Sequence, residues 1–277
     1  MSTLLEQKKP LFFDGAMGTE LQKRGLSQDP AILNLTHPEA IIEIHQQYLK
    51  AGANIITANT FGAYTHKHSN AADIIKAAMS HAQTALADYP GTYLALDLGP
   101  TGLMLEPYGE ATPDELLTLF KEAVAVGASS GASLILIETM MDINELELAI
   151  TAAKETALPI CATMTFDKNG RTMMGTSIKD MVQALDKLGI AAIGMNCGFG
   201  PDIYANLAPE LKSLTNLPII MQPNAGMPVV TEGSTTPGYD LTIEDFVNAV
   251  VSMEVDIMGG CCGTSPQHIS ALVQRFR

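Results

Sequence analysis

Tryptophan is absent from this sequence, and cysteine occurs only four times in 277 residues. So few cysteines exclude a dense disulfide framework, and we expect the thiols to serve packing, catalysis or metal binding. Long apolar runs are also missing, and the N-terminal "MSTLLEQKKP" lacks the apolar core of a secretory signal. We therefore expect a cytoplasmic protein without a membrane partner.

Basic residues are scarce as well. Lysine and arginine number 16 against 30 aspartates and glutamates, which gives a formal net charge of -14. A charge of this sign opposes non-specific attraction to nucleic acids, so we expect no nucleic-acid partner.

The length allows a large core without covalent links between segments. A single domain of this size buries about three quarters of the surface that its unfolded chain exposes. Because no linker-like stretch divides the sequence, we expect one domain over residues 1–277, with residues 1–9 as a polar N-terminal extension.

Short apolar segments alternate with longer amphipathic ones along the chain. Eight strand candidates, each followed by a helix-length segment, are "LFFDGA" (11–16), "NIITAN" (54–59), "TYLALDLGP" (92–100), "LILIET" (134–139), "PICATMTF" (159–166), "AAIGMNC" (191–197), "LPIIMQPNAG" (217–226) and "VDIMGGCCG" (255–263). This alternation predicts a parallel sheet in an α/β fold, and eight units predict a closed (β/α)8 TIM-type barrel. The alternative is an open doubly wound sheet, which is disfavoured because "DGAMGTELQKRG" lacks the G-x-G-x-x-G fingerprint.

Every predicted strand ends in a polar residue, and the C-terminal strand ends are where barrel enzymes place their chemistry. These residues are Asp14, Asn59, Asp97, Glu138, Thr165, Asn196, Cys197, Asn224, Cys261 and Cys262. Cys161 falls near the beginning of its strand, where we expect a small buried apolar side chain.

The strand order brings three of the four thiols close together. Cys197 ends strand six and the pair Cys261 and Cys262 ends strand eight, so these strand ends lie within roughly 10 Å at about 4.8 Å per strand. Three thiols at that range can bind one zinc and leave a position open for substrate. Two alternatives stand beside the zinc site: a small-residue turn with incidental thiols, and a strained vicinal disulfide.

Eight motifs carry a resemblance to a known family from about residue 10 to residue 275. They are "FFDGAMGTELQKRG", "NTFGA", "GPTGLMLEPYGE", "LILIETMMDINELE", "MTFDKNGRTMMGT", "NCGFGP", "MQPNAGMP" and "GGCCGTSPQHI". In this order and spacing the sequence resembles the homocysteine S-methyltransferase family. Within that family it is most similar to the homocysteine-binding barrel of cobalamin-dependent methionine synthases.

The resemblance implies a set of site residues. It assigns one zinc per chain to Cys197, Cys261 and Cys262, with Asn224 as a fourth ligand before substrate binds. It assigns the amino group of homocysteine to acidic residues and the carboxylate to N–H groups of the first loop. The substrate-binding residues that follow are Asp14, Ala16, Met17, Gly18, Thr19 and Glu138, with Asn59 and Asn196 at neighbouring strand ends.

The implied reaction is methyl transfer to a zinc-bound homocysteine thiolate, which yields methionine and requires no separate general base. The chain ends after the eighth unit, so we expect methylcobalamin on a separate corrinoid protein, or separate folate and cobalamin methyltransferase subunits. The alternative donor is S-methylmethionine or another small onium compound. Relatives that use S-methylmethionine often have an arginine after the paired cysteines, where this chain has Gly263.

Some positions depart from the methionine synthase pattern. They are Thr57, Ala58, Tyr64, Gly198 and Phe199, all near the predicted barrel mouth. They bear on the identity of the methyl donor or of the thiol acceptor more than on the zinc site. The segment 227–242 is interpreted as a lid or docking loop, or as an ordinary solvent-facing loop. Two other classes remain: a non-catalytic zinc or thiol-binding subunit, and a barrel lyase or isomerase that binds phosphate.

Overall fold

The computed structural model describes residues 10–229 and 237–277. Its strands are β1 (Leu11–Phe12), β2 (Ile55–Thr57), β3 (Tyr93–Leu98), β4 (Leu134–Met140), β5 (Ile160–Met164), β6 (Ala192–Cys197), β7 (Ile219–Pro223), β8 (Pro228–Val229), β9 (Gly238–Tyr239) and β10 (Ile257–Met258). Its α-helices are α1 (Gly18–Lys23), α2 (Pro30–Thr36), α3 (Pro38–Ala51), α4 (Ala71–Leu86), α5 (Pro113–Ser129), α6 (Ile143–Ala153), α7 (Ile178–Leu185), α8 (Pro201–Leu214), α9 (Ile243–Ser252) and α10 (Pro266–Gln274).

Eight parallel strands form a barrel. They pair in the order β1, β10, β7, β6, β5, β4, β3, β2. The two ends of this order, β1 and β2, meet through a parallel bridge between Phe13 and Ile55. The predicted (β/α)8 barrel is therefore confirmed, and the open doubly wound alternative is wrong.

Alternate residues of the strands pack into two cores, one inside the barrel and one between the strands and the helices. The inner core consists of fully or almost fully buried side chains: Leu11, Phe13, Ile55, Ala95, Leu134, Leu136, Cys161, Ala192, Ile220 and Ile257. Asp97 and Glu138 come two residues after Ala95 and Leu136, so the same alternation turns them toward the barrel interior at its C-terminal end. A polar layer thus follows the apolar one.

Local sequence signals place the helix boundaries. At the start of α5, Thr112 and Glu115 form a reciprocal capping box, in which each side chain accepts a hydrogen bond from the other residue's backbone N–H. At the end of α3, Gly52 has a φ of 105°, which a residue with a Cβ rarely adopts. These caps fix the strand-to-helix and helix-to-strand turns.

The predicted loop 227–242 contains a short antiparallel hairpin. Strand β8 pairs with β9, with Pro228 opposite Tyr239 and Val229 opposite Gly238. Residues 230–236 of that loop lie outside the described part of the chain. The hairpin adds two strands to the eight that the sequence predicts.

None of the helices in the described ranges is long and apolar enough to cross a membrane. The longest of them, α5, has 17 residues.

Candidate active site

Three thiols lie together at the C-terminal end of the barrel. The Sγ atoms of Cys197, Cys261 and Cys262 are all within 4.8 Å of one another, and the three residues are partly buried. Within residues 10–229 and 237–277 this is the only group of three or more histidine, cysteine or acidic residues close enough to hold a metal ion. All four cysteines are free, so the vicinal pair is not a disulfide. Cys161 is fully buried in the inner core, as the sequence predicts.

Cys197 ends β6 in a backbone conformation that is rare outside glycine. Its φ is 58°, and the following Gly198 has a φ of 62°. The hydroxyl of Tyr204 donates hydrogen bonds to the carbonyl oxygens of Asn196 and Cys197, at 2.9 and 3.0 Å. A strained residue that its surroundings hold in place is typical of a functional site.

The paired cysteines are attached to the end of β7 through backbone hydrogen bonds. The N–H of Cys261 donates to the carbonyl oxygen of Pro223 at 2.8 Å, and the N–H of Ala225 donates to that of Cys262 at 2.9 Å. Because β7 also pairs with β6 up to Cys197, a single strand fixes the spacing of the three thiols.

The three thiols do not ionise independently. Hydrogen bonds with Cys197 and Cys261 lower the pKa of Cys262 to about 3, which makes Cys262 the preferred thiolate. The pKa of Cys261 rises well above its usual value because of its hydrogen bonds with Cys197 and Cys262 and its burial. The hydrogen bond with Cys261 lowers the pKa of Cys197. The hydrogen bond with Cys262, burial and the charge of Cys262 raise it by more, so that the pKa of Cys197 is about 11. A bound dication would favour further thiolates.

Asn224 follows β7 directly and lies between the strand ends that carry the thiols. Its Oδ1 atom is buried and has no hydrogen-bond partner in the described ranges. The backbone is fixed, since the N–H of Asn224 donates to the carbonyl oxygen of Phe199 at 3.1 Å. A buried oxygen without a donor fits a nearby cation.

Asp14 is a buried carboxylate that Thr57 holds at both oxygens. Its Oδ1 accepts a hydrogen bond from the Thr57 hydroxyl at 2.8 Å, and its Oδ2 accepts one from the Thr57 N–H at 2.9 Å. Burial raises the pKa of Asp14 to about 7, although both hydrogen bonds act to lower it. Thr57, one of the departures from the family pattern, therefore orients Asp14.

Glu138 lies near the end of β4 and is linked to Asn196 on β6. The Asn196 amide donates to Glu138 Oε2 at 3.1 Å and to Thr139 Oγ1 at 2.7 Å. The Asn196 Oδ1 accepts from the Thr139 N–H at 2.7 Å and from the Thr163 hydroxyl at 2.8 Å. Burial, followed by the charges of Cys197 and Asp14, raises the pKa of Glu138 to about 8. Because four protein contacts engage Asn196, its geometry suits a residue that positions Glu138.

Asp97 is a further buried carboxylate at a strand end, one that the sequence does not assign to the site. The residue is 5% exposed, and its Oδ1 has no hydrogen-bond partner among the described residues. Burial raises the pKa of Asp97 well above its usual value, and the charges of Glu138 and Asp14 raise it further. The signal that could have identified it is the alternation from Ala95 to Asp97, which turns this carboxylate inward.

The first loop is bound to the segment that follows the paired cysteines. The Ala16 N–H donates to Thr264 Oγ1 at 3.2 Å, and the Gly263 N–H donates to Thr19 Oγ1 at 3.2 Å. The Tyr48 hydroxyl donates to the carbonyl oxygen of Ala16 at 2.9 Å and also lies 3.3 Å from that of Thr264. These contacts hold the two loops face to face.

Not all of the N–H groups predicted to bind the substrate carboxylate are available for it. The Ala16 N–H already donates to Thr264 Oγ1. Met17 precedes α1, and the N–H groups of Gly18 and Thr19 belong to its first turn, where a helix offers no acceptor of its own. The available donors are therefore those after Ala16.

Asn59 uses its side chain to connect β2 with α2. Its amide donates to the carbonyl oxygen of Pro30 at 2.7 Å and to Asn34 Oδ1 at 3.2 Å, while Asn34 donates back to the Asn59 carbonyl at 2.8 Å. The structure thus places both amide protons of this predicted substrate-binding residue in contacts within the protein.

Tyr239 on the hairpin approaches the paired cysteines, which sequence reasoning did not anticipate. Gly263 has a φ of 82°, and a Cβ at that position would overlap the Tyr239 ring. Burial raises the pKa of Tyr239, and the charges of Cys262, Cys197 and Cys261 raise it further. The hairpin therefore forms one wall beside the thiols.

Comparisons with known proteins agree with this geometry. A family model described as homocysteine S-methyltransferase matches residues 11–276. Methionine synthase of Mycobacterium tuberculosis is 31% identical over 285 residues, which cover 92% of this chain and 24% of that protein. Methionine synthase of Mycobacterium leprae is 30% identical, with 92% and 23% covered. The chain thus spans about a quarter of the length of these relatives.

Solved structures show the same barrel. The homocysteine methyltransferase MmuM from Escherichia coli in its apo form is 25% identical and superposes with a TM-score of 0.78 over 98% of both chains. Its metallated form is 24% identical with a TM-score of 0.82 and the same coverage of 98%, a likeness that shows the fold alone.

Proposed function

Because this chain belongs to the homocysteine S-methyltransferase family, we propose that it transfers a methyl group to the sulfur of homocysteine and so forms methionine. One observation carries the proposal. Three thiols within 4.8 Å of one another lie at the C-terminal end of a barrel whose other strand ends bear Asp14, Asp97 and Glu138, the first two of them buried. Thiols suit a soft metal that binds sulfur, and carboxylates suit the ammonium of an amino acid.

The metal that this donor set fits is zinc. Tetrahedral zinc with Zn–S bonds of about 2.3 Å brings sulfurs to roughly 3.8 Å from one another, which agrees with the grouping of Cys197, Cys261 and Cys262. The unpartnered Oδ1 of Asn224 supports this residue as the fourth ligand before substrate binds. When bound, zinc lowers the pKa of a coordinated substrate thiol so that the thiolate is present at neutral pH.

The protein's own residues bind and orient the substrate. Asp14 and Glu138 attract the ammonium group, and Asn196 holds Glu138 in place through its 3.1 Å hydrogen bond. The substrate carboxylate is bound by the N–H groups of the first loop that Thr264 leaves available, those around Gly18 and Thr19.

The reaction forms one bond and breaks another at the methyl carbon. The substrate sulfur provides an electron pair to the methyl carbon, the bond from that carbon to the donor breaks, and the donor retains that electron pair. The thiol proton leaves to solvent when the thiolate forms. Since no acid or base is needed at the methyl carbon, the residues named above only bind and position.

We propose a methyl-corrinoid protein as the donor. The loops at the C-terminal end of the barrel carry large exposed apolar side chains, among them Met173 at 82% and Tyr108 at 77% exposure, which supports a macromolecular partner over the mouth. The Tyr239 ring fills the space beside Gly263 where a Cβ would lie, which disfavours the arginine that relatives using S-methylmethionine often have after the paired cysteines.

The test combines metal analysis, homocysteine titration and turnover. We expect about one zinc per chain, proton release on homocysteine binding, and methionine formation with methylcobalamin but not with S-methylmethionine or betaine. Turnover with S-methylmethionine instead would replace the donor, and zinc and homocysteine binding without turnover by any donor would indicate a non-catalytic subunit. Absence of homocysteine binding would contradict the proposal as a whole.

A further inference from the structure

The carboxylate of Asp97 has no function in the arrangement described so far. The residue is 5% exposed, and its Oδ1 is buried without any hydrogen-bond donor in the described ranges. A buried carboxylate oxygen without a donor is costly, and such a group in a native protein calls for an explanation, of which a bound ligand is one. A ligand with an N–H donor would complete Asp97 Oδ1, which no described residue does.

The backbone fixes the position of this carboxylate. Thr60 Oγ1 donates to the carbonyl oxygen of Asp97 at 2.8 Å and accepts from its N–H at 3.1 Å. In the sheet, Asp97 pairs with Leu136, an inner-core residue two positions before Glu138. The Asp97 side chain thus faces the barrel interior on the strand next to that of Glu138. It lies at the level of Leu136, two residues further from the C-terminal end of the barrel than Glu138.

The other two carboxylates are already engaged by protein donors. Thr57 donates to both oxygens of Asp14, and Asn196 donates to Oε2 of Glu138. In residues 10–229 and 237–277, no lysine, arginine or histidine forms an ion pair with Asp14, Asp97 or Glu138. Of the three, Asp97 is the one with a fully buried oxygen that lacks a donor among the described residues.

We propose that Asp97 is the principal counter-ion for the ammonium group of the thiol substrate and that it restricts the acceptor to thiols that bear an amino group. This inference rests on the proposed function. It differs from the assignment by family resemblance, which places the ammonium on Asp14 and Glu138 alone.

An ammonium group fits the requirement better than a further metal ion. It carries three N–H donors, so after bonding Asp97 Oδ1 it has two left for Asp14 and Glu138, whose charges act on Asp97. A hard dication would need several carboxylate oxygens close together, and in the described ranges these three carboxylates do not form a group whose ligand atoms all lie within 4.8 Å of one another. The thiols lie on the opposite side, at β6 and the segment after β10, so one amino-acid thiol can meet both sets.

The experiment compares two thiols on matched variants. Calorimetric affinities of homocysteine and of γ-mercaptobutyrate, its analogue without the amino group, are measured on metal-loaded wild type and Asp97→Asn with equal zinc content. We expect Asp97→Asn to lose about tenfold to a hundredfold in homocysteine affinity, as the loss of a charge-assisted hydrogen bond implies. Its affinity for γ-mercaptobutyrate should stay within about twofold of wild type, because that ligand has no ammonium to lose.

Asp114→Asn is the control, since Asp114 is an exposed carboxylate in the first turn of α5, away from the strand ends that carry Asp14, Asp97 and Glu138. It should preserve the affinity ratio of the two thiols. If Asp97→Asn does not fold, Asp97→Ser provides the same comparison with a smaller neutral side chain.

The outcomes separate the two proposals. An unchanged ratio in Asp97→Asn, or equal losses for both thiols, would overturn the role of Asp97 and leave the proposed function intact. Wild-type protein that binds zinc but neither thiol would overturn the proposed function itself and the Asp97 assignment with it.

Discussion

Asn196 donates a hydrogen bond from its amide to Oε2 of Glu138 over 3.1 Å, and the two residues lie on strands that are not neighbours, β6 and β4. The contact crosses the barrel interior above β5, where the Thr163 hydroxyl donates to the Asn196 Oδ1. Because Cys197 follows Asn196 directly, this amide connects the position of the carboxylate to that of the thiols.

Asn196→Asp tests this connection with an isosteric side chain. The variant keeps an oxygen that accepts from Thr139 and Thr163, but it loses the donor to Glu138 and adds a like charge beside it. We expect the free energy of unfolding to fall by about 1–3 kcal/mol and homocysteine affinity to fall by about tenfold or more. Denaturant unfolding and calorimetry measure the two effects.

Asn206→Asp is the matched control, because Asn206 is exposed on α8 and its amide donates, within the described part of the chain, only to the Asp202 carbonyl. Its free energy of unfolding should stay within about 0.5 kcal/mol of wild type, with unchanged homocysteine affinity. Equal effects of both substitutions would show that Asn196 does not position Glu138.

The cysteines allow a second comparison within the chain. Cys197→Ser should lower zinc affinity by more than about a hundredfold, since even the loss of an outer hydrogen-bond partner of a ligand costs 10–100-fold. Cys161→Ala should keep the metal and cost about 1 kcal/mol of stability, because Cys161 only packs the inner core. The measurement is the zinc content of both variants after dialysis against a chelator. Full retention of zinc by Cys197→Ser would disprove the ligand set.

The position of the thiols could be predicted from sequence because barrel topology fixes which strand ends are neighbours. Cys197 and the pair at 261 and 262 are far apart along the chain, yet β7 alone separates their strands. The same reasoning failed for Asp97, since a polar strand end does not show whether its oxygens have donors. Which carboxylates have donors depends on where other side chains lie in the fold: Thr57 donates to Asp14 and Asn196 donates to Glu138.

The hairpin that carries Tyr239 was not predictable either. Strands β8 and β9 have two residues each, too few to show an alternating pattern, and the segment contains glycine, proline and threonine typical of a loop. Its contact with Gly263 depends on how the chain folds back over the barrel mouth. Only the absence of a side chain at position 263 hinted at a close approach.

Gly263→Ala should therefore lower the free energy of unfolding more than the same substitution at another glycine with a left-handed φ. The left-handed φ of 82° costs an alanine about 1–2 kcal/mol, and the overlap of the new Cβ with Tyr239 adds about 1–3 kcal/mol. Gly91→Ala has nearly the same φ, 84°, and apart from its chain neighbours no atom of the described residues lies within 4 Å of the added Cβ, so it should show only the cost of the left-handed backbone. Chemical denaturation of both variants gives the difference, and equal losses would argue against the Tyr239 contact.

The stability of the protein should depend on pH through Asp14. Its pKa is about 7 in the folded protein against 3.8 for the ordinary side chain, so the folded state holds a proton that the unfolded chain has released over this interval. Stability from this group is fully present below pH 3.8 and is lost as the pH rises toward and through 7, by roughly 4 kcal/mol from about 1.4 kcal/mol per pKa unit. Asp14→Asn removes this titration, so the stability difference between wild type and variant should shift in favour of the variant as the pH rises from 4 to 8. Urea unfolding at several pH values measures the shift, and a difference that does not change with pH would mean that Asp14 is ionised throughout.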